Sequence, residues 1–189
     1  RYCQHLKRSG HPFPLARMPL RPTAWGAGGA PPLLRFRLRR GGLRADQLDA
    51  VRAVVENLSS GKRGGYLLAP PGWGKTWVAL SIAGGLGLPC AFVMQSTDLV
   101  VQFMLSLFRD FDILESPLGR HGVGAVITED KAKELGAFQE HVDLGNGPRG
   151  FEGARVLFVS ATSMRHTMAT RPHCLESVRG RFSLLFIDE

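Results

Sequence analysis

Three cysteines in 189 residues, Cys3, Cys90 and Cys174, are too few and too scattered for a disulfide framework, and none has the spacing of a zinc site. A small disulfide-stapled fold is excluded, and a reducing intracellular compartment is expected, nucleus or cytoplasm first and an organelle as the alternative. Long apolar runs are also missing. The longest, such as Leu184 to Ile187, fall far below the roughly 18 to 20 residues of a helical membrane span, so a soluble protein is expected. Acidic residues are missing from one part of the chain only. Residues 1 to 45 hold ten Lys and Arg and no Asp or Glu, so the net charge of +8 resolves into a basic leader and a remainder with 14 basic and 16 acidic side chains. A fold that grips nucleic acid through a uniformly basic surface is thereby excluded.

What is present is one α/β domain's worth of chain. The first residue is Arg1, and the last two, Asp188 and Glu189, close an apolar run, so both ends read as cuts in a longer protein. Residues 1–42 are rich in Pro, Gly and Arg and are expected to be disordered, as a solvated linker, a nucleic-acid-contacting arm or a targeting segment. From Leu43 the pattern changes. Leu48, Val51, Val54, Val55 and Leu58 recur at helical spacing, with Asp46 available as a cap, and this helix ends near Gly61. Tyr66 to Ala69 reads as a short strand, Pro70 to Gly74 as a loop, and Lys75 to about Ala83 as a helix. Cys90 to Met94 reads as a second strand, followed by an amphipathic helix faced by Leu99, Val100, Phe103, Met104, Leu107 and Phe108. From Asp112 to about Gly153 the pattern gives a strand at Val123 to Ile127, a helix near Asp130 to Val142 and a loop at Gly145 to Pro148. Val156 to Val159 and Leu184 to Ile187 are continuous apolar runs of the kind buried in parallel sheets covered by helices on both faces.

Ala69-Pro70-Pro71-Gly72-Trp73-Gly74-Lys75-Thr76 fits the phosphate-binding P-loop template. Glycines let the backbone wrap closely, and successive N–H groups with the helix N-terminus can point at phosphates. Lys75 would reach the β- and γ-phosphates of ATP and the Thr76 hydroxyl would ligate Mg²⁺; Pro71, Gly72, Trp73 and Gly74 complete the cradle. Leu184 to Glu189 has the form of a Walker B strand, in which Asp188 would hold Mg²⁺ and Glu189 would position or deprotonate the attacking water.

From Leu43 to Glu189 the chain resembles the first motor domain of superfamily 2 helicases and translocases, in the group that includes type III restriction subunits and DEAD/DEAH-like ATPases. Three segments carry the resemblance besides the P-loop and Walker B. Leu43-Arg44-Ala45-Asp46-Gln47 is similar to the segment ahead of motif I, which implies that Gln47 reads adenine. Gln95-Ser96-Thr97-Asp98-Leu99-Val100-Val101-Gln102 is similar to motif Ia, which implies contacts from Ser96, Thr97 and Gln102 to a nucleic-acid backbone. Val156 to Met164 is similar to motif Ib, which implies the same for Thr162. Ser160-Ala161-Thr162 also spells motif III, but it precedes the Asp-Glu pair and the match is a coincidence. Arg165, His166, Arg171, His173, Arg179 and Arg181 follow motif Ib and could assist.

Pro-Pro-Gly-x-Gly-Lys-Thr is familiar from AAA+ ATPases, and a protein-remodelling AAA+ enzyme is the alternative. Asp188 follows Lys75 by 113 residues, a spacing wider than AAA+ proteins use, and with Gln47 and the Leu99/Gln102 pattern it favours the helicase. The resemblance implies a RecA-like parallel sheet, ATP and Mg²⁺ as cofactors, DNA or RNA as partner, and a second motor domain supplying arginines to the transferring phosphoryl group. Without that domain, residues 1–189 are expected to bind ATP weakly and hydrolyse it poorly.

Overall fold

A computed structural model of the chain describes residues 35–39, 41–62, 64–115, 122–146, 150–151, 153–176 and 182–188. The elements run β1 (Arg35–Leu38), α1 (Ala45–Ser59), α2 (Lys75–Leu86), β2 (Cys90–Met94), α3 (Thr97–Asp110), β3 (Phe111–Glu115), β4 (Val123–Val126), α4 (Glu129–Lys133), a 3₁₀ turn at Gly136–His141, β5 (Val142–Asp143), β6 (Val156–Ser160), α5 (Ala161–Thr170), α6 (Pro172–Glu176) and β7 (Leu184–Ile187). Five strands form a parallel sheet in the order β5-β4-β6-β2-β7, and β1 pairs with β3 in a separate antiparallel ribbon.

The apolar runs expected to be strands of the sheet all join it, β2 and β6 with a partner on each side and β7 along its edge with β2 alone, and the pairing satisfies the backbone polar groups that such runs bury. Phe92 of β2 stands in register with Phe158 of β6 and Phe186 of β7. Its ring lies 5.0 Å from the Phe158 centroid and 4.6 Å from that of Phe186, both nearly parallel. Over this face α3 lays the stripe predicted from its sequence, with Val100, Phe103, Met104 and Leu107 all buried. Ser96 caps α3 by accepting from the Leu99 N–H at 3.3 Å, which satisfies one of the four donors that a helix start leaves open. The opposite face carries Ala91, Leu157 and Val159, covered by Phe151, Ala154 and Cys174 of α6. Helices therefore lie on both faces, as expected. On β7 this second face is open to solvent, with Leu185 62% and Ile187 63% exposed.

Four local expectations fail. Arg35–Leu38 falls within the segment read as a disordered leader, yet it forms β1 against β3. The composition is basic, but Phe36 and Leu38 alternate with arginines at the period of a strand, and Phe36 is buried. Tyr66 to Ala69 is irregular rather than a strand, with Tyr66 and Leu68 fully exposed; an apolar run is a strand only when an edge receives it. The helix expected over Asp130 to Val142 stops at Lys133, because Gly136 takes a left-handed φ of 57° and the chain continues as a 3₁₀ turn. Asp46 does not cap α1: Arg44 is the N-cap, and the Gln47 side chain accepts from the Arg44 N–H at 2.9 Å.

The ribbon β1–β3 lies against α2, and α1 packs on α2 through Val51, Val55, Val78 and Ile82. Among the described residues no helix is long and apolar enough to cross a membrane. The described cysteines, Cys90 and Cys174, are buried thiols outside any disulfide.

Candidate nucleotide and nucleic-acid site

The connection from α2 to β2 is only residues 87–89, so the C-terminus of α2 lies near the start of β2. Twelve helical residues span about 18 Å, and the other end of α2 is placed by Trp77, whose indole N–H donates to Asp110 Oδ2 at 3.0 Å at the last residue of α3. That end of α3 lies where the strands begin, since Phe108 meets His141 just ahead of β5, whereas parallel α/β folds present their ligand sites at the opposite, C-terminal edge. Gly74 precedes α2 with φ 94° and gives it no side-chain cap, so the first N–H groups of the helix are left to an anion. Gly72 is also left-handed, at φ 74°. The Trp73 N–H closes the turn onto the Pro70 carbonyl at 3.2 Å. Lys75 Nζ donates to the Ala69 carbonyl at 3.2 Å, so its ammonium folds back over the loop. Thr76 is half-buried beside it, and Pro71 is exposed.

The N-terminus of α1 grips this loop. Gln47 is buried at 2% exposure; its Oε1 accepts from the Arg44 N–H and its Nε2 donates to the Trp73 carbonyl at 2.7 Å. Arg44 donates to the same carbonyl at 2.9 Å. The Trp73 indole N–H donates to Asp46 Oδ2 at 2.7 Å, and the Arg44 guanidinium stands 6.0 Å from the Trp73 ring centroid. The Arg44 guanidinium beside Asp46, with the Trp73 indole N–H also donating, holds that carboxyl below its ordinary value of 3.8 against the opposing effect of desolvation. A Cβ on Gly74 would stand 2.5 Å from Gln47 Nε2, so glycine is required there by space as well as by φ.

At the C-terminal edge of the sheet, the Asp188 N–H donates to the Val93 carbonyl at 3.0 Å, one rung beyond β7, which leaves its half-buried carboxylate just past the end of the strand. Glu189 lies outside the described residues. Ser96 and Thr97 begin α3 directly after β2, half-buried, and Gln102 is exposed one turn further along that helix. Met94 of β2 pairs with Ser160 of β6, and Thr162 is exposed in the first turn of α5, which Ser160 caps by accepting from the Ser163 N–H at 3.1 Å. The sheet thus brings Asp188, Ser96, Thr97 and Thr162 to its C-terminal edge, while Gly72 to Thr76, with Gln47 behind the loop, stand at the end of α2 that Trp77 ties to the last residue of α3. Of the basic residues after motif Ib, Arg165, His166 and His173 are exposed and Arg171 is half-buried, bonded to Asn146. Arg179 and Arg181 lie outside the described residues.

Two residues of the loop's support, Arg44 and Asp46, escape a reading by motif. The signal available was the spacing of Arg44 and Gln47, N-cap and third helical residue, in which the Gln side chain reaches back to the cap.

A family model described as "Type III restriction enzyme, res subunit" matches residues 40–189. No curated protein matches the chain.

Proposed function

This chain belongs to the type III restriction enzyme res subunit family and carries its helicase-type ATP-binding domain, and from that premise we propose that it is a motor domain coupling ATP hydrolysis to movement on, or remodelling of, DNA or RNA. The observation that carries the reading is the phosphate loop itself, whose left-handed Gly72 and Gly74 lead into a helix start with no side-chain cap, in a fold whose parallel sheet holds Asp188 and the starts of α3 and α5 along its C-terminal edge.

In this reading the backbone of residues 70–74 and the N-terminus of α2 cradle the phosphates, and Lys75 leaves the Ala69 carbonyl for the β- and γ-phosphate oxygens. Gln47 recognises adenine with the capacity its amide retains after bonding Arg44 and Trp73, one N–H and one lone pair. Mg²⁺ suits the available donors, since the Thr76 hydroxyl and the Asp188 carboxylate are hard oxygen ligands; bound there, it would neutralise charge developing on the phosphates. Glu189 positions or deprotonates the attacking water. Ser96, Thr97, Gln102 and Thr162 touch the sugar-phosphate backbone, which positions the strand without reading its sequence.

A second motor domain supplies the arginines of the transition state, so residues 1–189 alone bind ATP weakly and turn it over slowly. The two described cysteines, both thiols, are in keeping with a reducing compartment, nucleus or cytoplasm, with an organelle as the alternative. The AAA+ alternative draws support from the Pro70 to Thr76 loop and the Phe186-Ile187-Asp188-Glu189 strand end and is not favoured by the family match.

The test is ATPase activity of the protein carrying this domain, with and without single- and double-stranded DNA and RNA, beside Lys75→Ala. Stimulation by nucleic acid that vanishes in the variant is expected. Lys75-dependent hydrolysis indifferent to every nucleic acid would remove the motor reading and leave a nucleotide hydrolase of another kind.

A further inference from the structure

We propose that Asp46 and Trp73 form a latch that positions the phosphate loop for the nucleotide, making Asp46 a positioning residue for ATP binding. The inference rests on the reading of residues 69–76 as the nucleotide's phosphate site and adds a component that the motif does not contain.

The loop itself offers little to hold it still. Pro71 and Gly72 are exposed, and Gly72 and Gly74 both occupy left-handed backbone, where glycine moves most freely. Against that freedom, three hydrogen bonds from the start of α1 converge on one residue. Gln47 and Arg44 hold the Trp73 carbonyl at 2.7 and 2.9 Å, and Asp46 takes the indole N–H at 2.7 Å. The base from which they reach is rigid, because α1 is fixed to α2 by Val51, Val55, Val78 and Ile82.

The two kinds of bond are not equivalent. Any residue at position 73 presents a carbonyl to Gln47 and Arg44, but only a side chain with a long reach and a donor at its tip can meet the Asp46 carboxylate. Phosphate binding by backbone N–H groups makes no demand on this side chain. A bulky indole at the variable position of the loop is accounted for by the latch. The bond has a charged acceptor, which makes it stronger than a neutral pair. Arg44 lies on the other side of the same carboxylate, at 3.2 Å, and keeps it aimed.

The experiment is equilibrium binding of a fluorescent ADP analogue with Mg²⁺ to residues 1–189, for wild type, Asp46→Ala, Trp73→Phe, the double variant, Asp46→Asn and Lys75→Ala, each with a thermal unfolding midpoint. Asp46→Ala and Trp73→Phe should each weaken binding about three- to tenfold, and the double variant no further than either single. Asp46→Asn, which keeps an oxygen acceptor for the indole, should retain most of the affinity. A general loss of structure would instead move the midpoint and would spare none of the four Asp46 and Trp73 variants. The latch is overturned if the single variants bind as wild type does, or if their effects multiply in the double variant. Wild-type affinity in Lys75→Ala would overturn the phosphate site itself, a separate result.

Discussion

The backbone of Phe36 lies directly against Gly84. A Cβ on that glycine would overlap the Phe36 carbonyl oxygen and meet the Phe36 ring at 2.7 Å. In an isolated helix, Gly84→Ala would stabilise by about 1 kcal/mol. Here the gain is reversed, because β1 must move off α2, and a net destabilisation of about 1 to 3 kcal/mol is expected. Urea unfolding of Gly84→Ala beside Gly84→Ala/Phe36→Ala measures it: the second variant relieves the ring contact and leaves the carbonyl overlap.

Gly74→Ala meets two obstacles. A left-handed φ costs an L-residue about 1 to 2 kcal/mol, and the added carbon drives out the Gln47 amide. Combining it with Gln47→Ala removes the overlap but not the backbone strain, so the double variant should recover part of the lost stability in denaturant and none of the nucleotide affinity.

The stack Phe158–Phe92–Phe186 runs across β6, β2 and the edge strand β7. Phe92→Ala opens a cavity under α3 and should cost about 3 to 5 kcal/mol, enough to unfold a domain of ordinary marginal stability. Near-ultraviolet circular dichroism at 25 °C would report native packing if this expectation is wrong.

Asp46 should titrate below 3.8 in a carbon-detected NMR experiment and move back toward that value in Arg44→Ala. The sign follows from a folded-state carboxyl held below its unfolded value. Its contribution to stability is present in full above the unfolded value and is lost as pH falls through the folded one. Asp46→Asn should therefore differ from wild type in stability by the same amount at pH 6 and pH 8, and the difference should shrink only in strong acid.

Burial pushes the Cys90 thiol far up, so the thiolate that reacts with disulfide reagents is scarce in the folded protein. Ellman's reagent should modify Cys90 only on unfolding. Labelling at native rates comparable to a free thiol would contradict its burial in the sheet.

Much of the sheet was readable because its strands announce themselves. Cys90–Met94 and Leu184–Ile187 are apolar runs long enough for a strand and too short for a helix, and the structure ends them where the sequence does. The stripe of α3 was equally plain. β1 was hidden by its arginines, and its partner β3 lay in the stretch whose apolar residues show no clean period. Tyr66–Ala69 looked like a strand because apolar content records what a segment could bury, not whether an edge is there to receive it. At the site, Gly72 and Gly74 were legible as turn glycines, and the structure gives both a left-handed φ. The grip of Arg44 and Asp46 on Trp73 was not, because it joins residues 27 and 29 positions apart, which no local pattern records.

The enclosure of α2 has a further consequence. Held by α1, by the β1–β3 ribbon and by α3, with Val78 and Leu80 fully buried, this helix should keep its amide protons through all but global opening, while the exposed residues 64–72 exchange theirs freely. The frontier between slow and fast exchange would then fall inside the first turn of α2, at Val78, whose N–H is the first to bond within the helix, onto the Gly74 carbonyl, so that the helix serves as a fixed post whose open first turn is left to whatever enters the loop.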